Sequence, residues 1–189
     1  MGQNIKIVLA GEGGQGVQSI AEIISEAAYN SGFQSLYIPN FGVEQRGGVS
    51  VAFVQISDQS VDAPKFIIAD IVIALSRRAI ERVKPYIGEK TLLVYDSSVD
   101  DEVEKIYGKL GENRQLSIPA LEMAQKEVHP RVFNIIILGV VVGVAELLEK
   151  KDVEQALERR LGHKFAQDSS LKNLNYRALE LGYQLGQGK

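Results

Sequence analysis

A run of glycines between an apolar segment and an amphipathic one constrains the fold of this chain more than any other feature. Residues 5–10 are apolar and rich in β-branched side chains, which predicts a strand buried on both faces. From Val17, apolar or small residues recur every three or four positions, which predicts a helix ending near Ser31. The intervening loop contains Gly11, Gly13, Gly14, Gln15 and Gly16. Amides at such a helix start can hold a phosphate or another anion.

The rest of the chain alternates between strand and helix patterns. Further strands are predicted at residues 33–38, 49–56, 71–75 and 91–95. Further helices are predicted at residues 77–86, 120–127, 132–149, 153–160 and 171–185. This order predicts a three-layered, Rossmann-like α/β fold with a largely parallel or mixed sheet, in a single domain covering residues 1–189.

Composition excludes several classes of function. The 189 residues carry 24 acidic and 21 basic side chains, a formal charge of −3, without the basic block that a nucleic-acid binder needs. There is no cysteine, which excludes thiolate-bound iron–sulfur clusters, cysteine zinc sites and disulfides within this sequence. The two histidines predict neither a metal site nor a catalytic centre. His129 is expected at a helix start, and His163, after Gly162, at a helix end.

The most apolar segment, residues 132–148, is shorter than the roughly 20 residues that span a bilayer. It therefore predicts a buried core helix. Gly139 and Gly143 lie four residues apart on one face, where they would let another backbone approach closely. The same spacing also fits a membrane dimer motif, which would need a longer segment. With no signal peptide pattern at residues 1–4, we expect no membrane association and a cytoplasmic location.

The glycine loop formally contains the G-x-G-x-x-G pattern of dinucleotide-binding enzymes. Those enzymes place an acidic residue at the end of the second strand to hold the ribose. Residues 36–40 contain no acid, and the next carboxylate is Glu44, which disfavours tightly bound NAD. The loop also lacks the lysine and hydroxyl residue of a Walker-type phosphate loop. A structural interpretation stays open, in which the glycines only let the helix pack closely on the sheet.

A second glycine motif covers residues 42–48 and includes Glu44, Arg46, Gly47 and Gly48. The glycines would let the backbone approach a partner while the Arg46 guanidinium binds a carboxylate or phosphate. The alternative is a turn in which Arg46 pairs with Glu44 or another surface acid.

Together, the two motifs resemble those of the gamma subunit, or gamma domain, of the 2-oxoacid:ferredoxin oxidoreductases. Residues 11–16 are similar to that family's G-x-G-G-Q-G after its first strand, and residues 42–48 to its G-x-E-x-R-G-G segment. Residues 56–58, Pro64 and Asp70 follow in similar order and spacing, and Asn134 with residues 138–139 also fits. The resemblance covers most of the chain.

The resemblance implies a subunit of a complex that decarboxylates a 2-oxoacid, transfers the acyl group to coenzyme A and passes two electrons to ferredoxin. It further implies alpha, beta and ferredoxin-like delta partner subunits, which carry thiamine diphosphate, magnesium and the iron–sulfur clusters. This chain would support assembly and, as a hypothesis, hold coenzyme A through Gly11, Gly13–Gly16, Glu44 and Arg46–Gly48. Alone it is expected to be inactive and to self-associate, for instance as a homodimer. A free-standing dinucleotide-binding oxidoreductase and a purely structural assembly module are the alternatives.

Overall fold

The computed structural model describes residues 4–40, 48–61, 65–108, 110 and 114–188, which form six strands and seven α-helices. The strands are β1 (Asn4–Glu12), β2 (Gln34–Asn40), β3 (Val49–Ser57), β4 (Ile71–Ala74), β5 (Leu92–Asp96) and β6 (Gln115–Ile118). The helices are α1 (Val17–Asn30), α2 (Arg77–Val83), α3 (Asp100–Tyr107), α4 (Ala120–Glu127), α5 (Phe133–Ala145), α6 (Lys150–Gln167) and α7 (Ser169–Gln187).

The strands form one mixed sheet in the order β2-β3-β1-β4-β5-β6. Strand β3 runs antiparallel to both of its neighbours, whereas β1, β4, β5 and β6 pair in parallel. Residues 41–48, which join β2 to β3, are too few for a parallel crossover, which needs about a dozen. Pro39, which has no amide hydrogen to donate, lies in β2 at the edge of the sheet, where proline is tolerated.

Helices cover both faces of the sheet, as the alternating pattern predicts. On one face, α1, α4, α5, α6 and α7 pack with Ile7 and Leu9 of β1. On the other face, α2 and α3 pack with Val8 and Ala10. Side chains alternate between the two faces of a strand, so β1, whose residues 7–10 are completely buried, contributes to both halves of the core. The α/β layered fold is therefore confirmed.

The sequence pattern does not predict α3 or β6. Five of the eight residues of α3 are charged, and Val103 is its only buried residue. Its acidic first turn and Lys105 in its last turn suit the helix dipole and were the available signal. Strand β6 has four residues and lies at the sheet edge, with Ile118 alone fully buried, so it shows little apolar alternation.

Helix α6 is longer than predicted, and this corrects the placement of His163. The structure extends the helix over Lys150–Gln167, so Gly162 and His163 lie inside it and not at a helix end. A glycine inside a helix lowers the stability of the helix by about 1 kcal/mol relative to alanine. The packing of the buried Val153, Leu157 and Phe165 of α6 offsets this loss. His129 lies where predicted, before α5, and its Nδ1 accepts a hydrogen bond from the Arg131 amide at 3.1 Å.

Helix α5 is the buried core helix expected from residues 132–149, ending earlier at Ala145. Gly139 and Gly143 face α7, whose Gly182 and Gly186 face them in return. A Cβ on Gly143 would lie 2.6 Å from the Tyr183 carbonyl oxygen, so the two backbones are in direct contact. The predicted close approach of a second backbone is therefore confirmed, and α7 provides it. No helix in the described ranges is long and apolar enough to span a bilayer.

Candidate functional site

A cleft of about 210 Å³ opens where β1, β4 and β5 end. The glycine loop contributes Gly14 and Gln15, the ends of β4 and β5 contribute Leu75 and Asp96, and the segment before α5 contributes Arg131. The chain continues from β1 through α1 toward β2 on one side, whereas β4 and β5 lie on the other. Open α/β sheets bind ligands at such a switch point, beyond the carboxyl ends of the strands.

Gln15 fixes the conformation of the glycine loop. Its Oε1 accepts a hydrogen bond from the Glu12 amide at 2.7 Å, and its Nε2 donates to the Leu75 carbonyl oxygen at 2.7 Å. A Cβ on Gly11 would lie 2.8 Å from that Oε1, so a larger residue at this position would displace the Gln15 side chain from these hydrogen bonds. The side chain of Gln15 thereby ties the loop after β1 to the residue after β4.

The loop presents several backbone amides without an acceptor. The Gln15 amide donates to the Glu12 carbonyl oxygen at 3.1 Å, but the amides of Gly13, Gly14 and Gly16 find no acceptor within the described part of the chain. Gly16 caps α1 without a side-chain hydrogen bond and adopts φ 75°. Unsatisfied amides at a helix start attract anions, and the helix dipole adds to this attraction.

Asp96 closes the floor of the cleft. It is 2% exposed, and its two carboxylate oxygens accept hydrogen bonds from the Ser98 amide at 3.0 Å and the Leu121 amide at 2.8 Å. Asp96 therefore joins the end of β5 to the start of α4. Arg131 and Asp96 are the only charged residues among the described lining residues, so the lining is formally neutral.

The second glycine motif falls largely outside the described residues, since Glu44, Arg46 and Gly47 are among residues 41–47. Gly48 is described and is half-buried. The strand residues on either side of the motif are also described. Val49 pairs with Glu12, and Asn40 pairs with Val51, so both flanks lie at the end of the sheet where the glycine loop begins.

Gln18 of α1 links β2 and β3 at this end of the sheet. Its Nε2 donates to Ser50 Oγ at 2.5 Å and to the Val51 carbonyl oxygen at 3.1 Å, and its Oε1 accepts from the Tyr37 hydroxyl at 2.5 Å. Burial, assisted by the charge of Glu22, raises the pKa of Tyr37, so the hydroxyl keeps its proton for this bond. The start of α1 is thus fixed to both strands that flank the second motif.

The strand order argues against the alternative of a dinucleotide-binding enzyme. In a dinucleotide-binding fold the acid on the second strand lies next to the glycine loop. Here β3 lies between β1 and β2, so the end of β2 is two strands away, about 10 Å at the usual strand spacing. The residues at that end, Pro39 and Asn40, also carry no charge.

The structure brings together only part of the predicted site. Gly14 and Gln15 line the cleft, and Gly11 and Gly16 shape the loop, whereas Gly13 lies in open space. Sequence patterns miss Asp96 and Arg131 as cleft residues. The position of Asp96 directly after a predicted strand was an available signal, because the carboxyl ends of parallel strands meet at one edge. Arg131 has no comparable signal.

A family model for pyruvate ferredoxin/flavodoxin oxidoreductase matches residues 6–185. The chain belongs to this family. Subunit VorA of the ketoisovalerate oxidoreductase of Methanothermobacter thermautotrophicus is 30% identical over 178 residues, covering 94% of this chain and 35% of that protein. This chain therefore spans about a third of the length of that curated relative.

Two solved structures share the fold with this family member. The gamma subunit of a keto/oxoacid ferredoxin oxidoreductase from Geobacter sulfurreducens is 26% identical, with a TM-score of 0.76 and 98% of each chain covered. A 2-oxoglutarate:ferredoxin oxidoreductase from Magnetococcus marinus, solved with 2-oxoglutarate, coenzyme A and succinyl-CoA bound, is 22% identical. Its TM-score is 0.83, over 99% of this chain and 32% of that one. At that identity the similarity establishes the fold alone.

Proposed function

We propose that this chain is the gamma subunit of a 2-oxoacid:ferredoxin oxidoreductase. The complex converts a 2-oxoacid and coenzyme A to acyl-CoA and CO2, and two electrons pass to ferredoxin with release of a proton. Membership of the oxidoreductase family over residues 6–185 supports the proposal, as does the similarity to a gamma subunit along nearly the whole of both chains.

The amino-acid composition of this chain supports the proposal that its partners hold the redox cofactors. Iron–sulfur clusters take thiolate ligands, and the sequence has no cysteine. No group of three or more His, Asp or Glu side chains suited to a metal ion occurs in the described ranges. The proposal therefore places the clusters, thiamine diphosphate and magnesium on alpha, beta and ferredoxin-like delta subunits. The role left to this chain is to complete the assembly and contribute to coenzyme A binding.

The three glycine amides without an acceptor carry the proposal for coenzyme A. They lie in the loop at the start of α1, beside a cleft that Gly14 and Arg131 line, and amides at a helix start can bind a phosphate group. The cleft volume of about 210 Å³ is below the range of about 300–1,000 Å³ typical of whole-ligand pockets. The cleft therefore fits a phosphate-bearing part of coenzyme A, and the remainder must extend beyond it. Arg46 and Glu44, which follow Asn40 and precede Gly48 in the sequence, are the further residues of the proposed site.

The first experiment is anaerobic affinity purification of the tagged chain from its host. The preparation is assayed with pyruvate, 2-oxoglutarate and branched 2-oxoacids, together with coenzyme A and a low-potential electron acceptor. We expect thiamine- and cluster-bearing subunits to co-purify with activity, and the preferred 2-oxoacid identifies the substrate. Recovery of the chain alone, inactive with every 2-oxoacid, would overturn the subunit proposal.

The second experiment separates a ligand-binding subunit from a purely structural assembly module. In the assembled complex, Arg46→Ala is expected to raise the KM for coenzyme A about tenfold or more, because hydrogen bonds to charged groups contribute about 1.5–3 kcal/mol. The matched control is Lys90→Ala, an exposed cation near the opposite, amino end of β5. An unchanged KM in Arg46→Ala, with no heat from coenzyme A titrated into the isolated chain, would favour the structural module.

A further inference from the structure

A second cavity, larger than the cleft, lies among four helices. Its volume is about 370 Å³, and residues of α1, α5, α6 and α7 line it together with the turn before α5. We call it the helix-lined cavity and define it by Ile23, Ile135, Phe165, Arg160, Lys164 and Arg131. Its volume lies within the range of about 300–1,000 Å³ of small-molecule pockets. Neither sequence motif contributes to it.

The floor of the helix-lined cavity is mostly apolar, with the buried Asn175 as its polar member. Ile23, Ile135 and Phe165 are 2%, 3% and 8% exposed, and they come from α1, α5 and α6. Removing an alkyl or aryl group from water against such a surface is favourable by about 25 cal/mol per Å² of buried apolar area. The floor therefore selects a ligand with an apolar body.

The mouth of the cavity is cationic. Arg160 and Lys164 lie one turn apart on α6, and Arg131 approaches from the segment before α5. Arg160 forms an ion pair with Glu22 of α1. For Lys164 and Arg131, the described residues provide no ion-pair partner. The lining residues include no carboxylate, so the mouth carries an excess of positive charge even when Glu22 is counted.

An apolar floor beneath a cationic mouth fits one class of ligand. We propose that the helix-lined cavity binds a small monocarboxylate, with its hydrocarbon body against Ile23, Ile135 and Phe165 and its carboxylate at Lys164 and Arg160. A carboxylate pairs with these cations through charge-assisted hydrogen bonds, which are about twice as strong as neutral ones. A site of this kind is distinct from the glycine-loop cleft, although Arg131 and Asn134 line both.

The test is calorimetric titration of octanoate into the full-length chain and into the assembled complex. We expect saturable binding to both. Acetate, which has the charge alone, and octan-1-ol, which has the hydrocarbon body alone, are each expected to bind at least tenfold more weakly. Equal affinity for octanoate and octan-1-ol, no octanoate binding at millimolar concentration, or loss of binding on assembly would overturn the proposal. In the last case the cavity belongs to a subunit interface.

Two kinds of variant test whether the ligand binds in the helix-lined cavity. Lys164→Gln and Arg160→Gln are expected to weaken octanoate binding at least fivefold each, whereas Lys105→Gln, on α3 across the sheet, is expected to have no effect. Ser19→Leu extends a side chain from α1 into the cavity and is expected to abolish binding without lowering the melting temperature. Unaltered binding in all three cavity variants would overturn the proposal. Coenzyme A is absent from these titrations, and those on the full-length chain alone do not depend on the proposed function.

Discussion

A Cβ atom built on Gly16 would lie 2.8 Å from the Cβ atom of Asn134, which joins the glycine loop to the first turn of α5. Gly16 also adopts φ 75°, a conformation that costs an L-amino acid about 1–2 kcal/mol. We expect Gly16→Ala to lower the free energy of unfolding by about 2–4 kcal/mol, because backbone strain and overpacking act together. Urea denaturation of the full chain measures this change.

Gly13→Ala is the matched control for Gly16→Ala. Gly13 does not have a positive φ, and an added Cβ would meet no atom within 4 Å. Its free energy of unfolding should stay within about 0.5 kcal/mol of that of the wild type. Equal urea midpoints for the two variants would contradict the close approach of Gly16 to Asn134.

The contact between α5 and α7 predicts opposite effects of the same substitution at two helical glycines. Gly143→Ala would bring a methyl group to 2.6 Å from the Tyr183 carbonyl oxygen and 2.9 Å from the Gly186 Cα, both backbone atoms that cannot rotate away. We expect it to be destabilising by about 1–3 kcal/mol. Gly162→Ala, inside α6 with no atom within 4 Å, is expected to stabilise the chain by about 0.5–1 kcal/mol. Thermal and urea unfolding measure both, and a shift of the same sign in the two variants would refute the backbone contact.

Asp96→Asn tests the buried carboxylate at the floor of the cleft. Both carboxylate oxygens accept backbone amides, those of Ser98 and Leu121, and an asparagine offers only one oxygen. One amide would then face an NH2 group without an acceptor, and the expected loss of stability is about 1.5–3 kcal/mol. Glu89→Gln, at an exposed position, removes a charge without this consequence. If both variants unfold at the same urea concentration, Asp96 does not hold the start of α4.

Tyr107 makes stability depend on pH in the alkaline range. Its hydroxyl donates to the Ile80 carbonyl oxygen at 2.7 Å, and burial raises the pKa of Tyr107 to about 12. The unfolded chain loses this proton near pH 10, so the contribution to stability is complete below pH 10 and is lost as the pH rises to about 12. Tyr107→Phe lacks this proton, so its free energy of unfolding should fall less steeply between pH 10 and 12. Urea unfolding across this interval compares the two slopes, and parallel curves would contradict the burial of the hydroxyl.

The sequence predicts the parts of the molecule whose pattern is local. The apolar run of β1, the glycines after it and the periodic residues of α1 are consecutive, so one short segment defines the loop. The buried helix α5 and its glycine face could also be predicted from the sequence, because thirteen residues with almost no polar side chain are compatible with few other structures.

The cleft and the helix-lined cavity could not be predicted from the sequence in the same way. Arg131 reaches both only because α5 packs beside α1 and its preceding turn lies over the glycine loop. That placement depends on tertiary packing between residues more than a hundred positions apart, which no local period encodes. Strand β3 shows the same limit, since its place beside β2 follows from a short connection and its pairing with β1 from tertiary packing, neither of which its own alternation encodes.

The contact of α7 with the glycine face of α5 also has a consequence for synthesis on the ribosome. Helix α5 is complete at residue 145, but the backbone that covers its glycine face is formed by residues near 182 and 186. A nascent chain therefore completes α5 some forty residues before the backbone that covers its glycine face has been translated, at about 5–20 residues per second. For several seconds the glycine face of α5 therefore has no native partner in the chain that has been made.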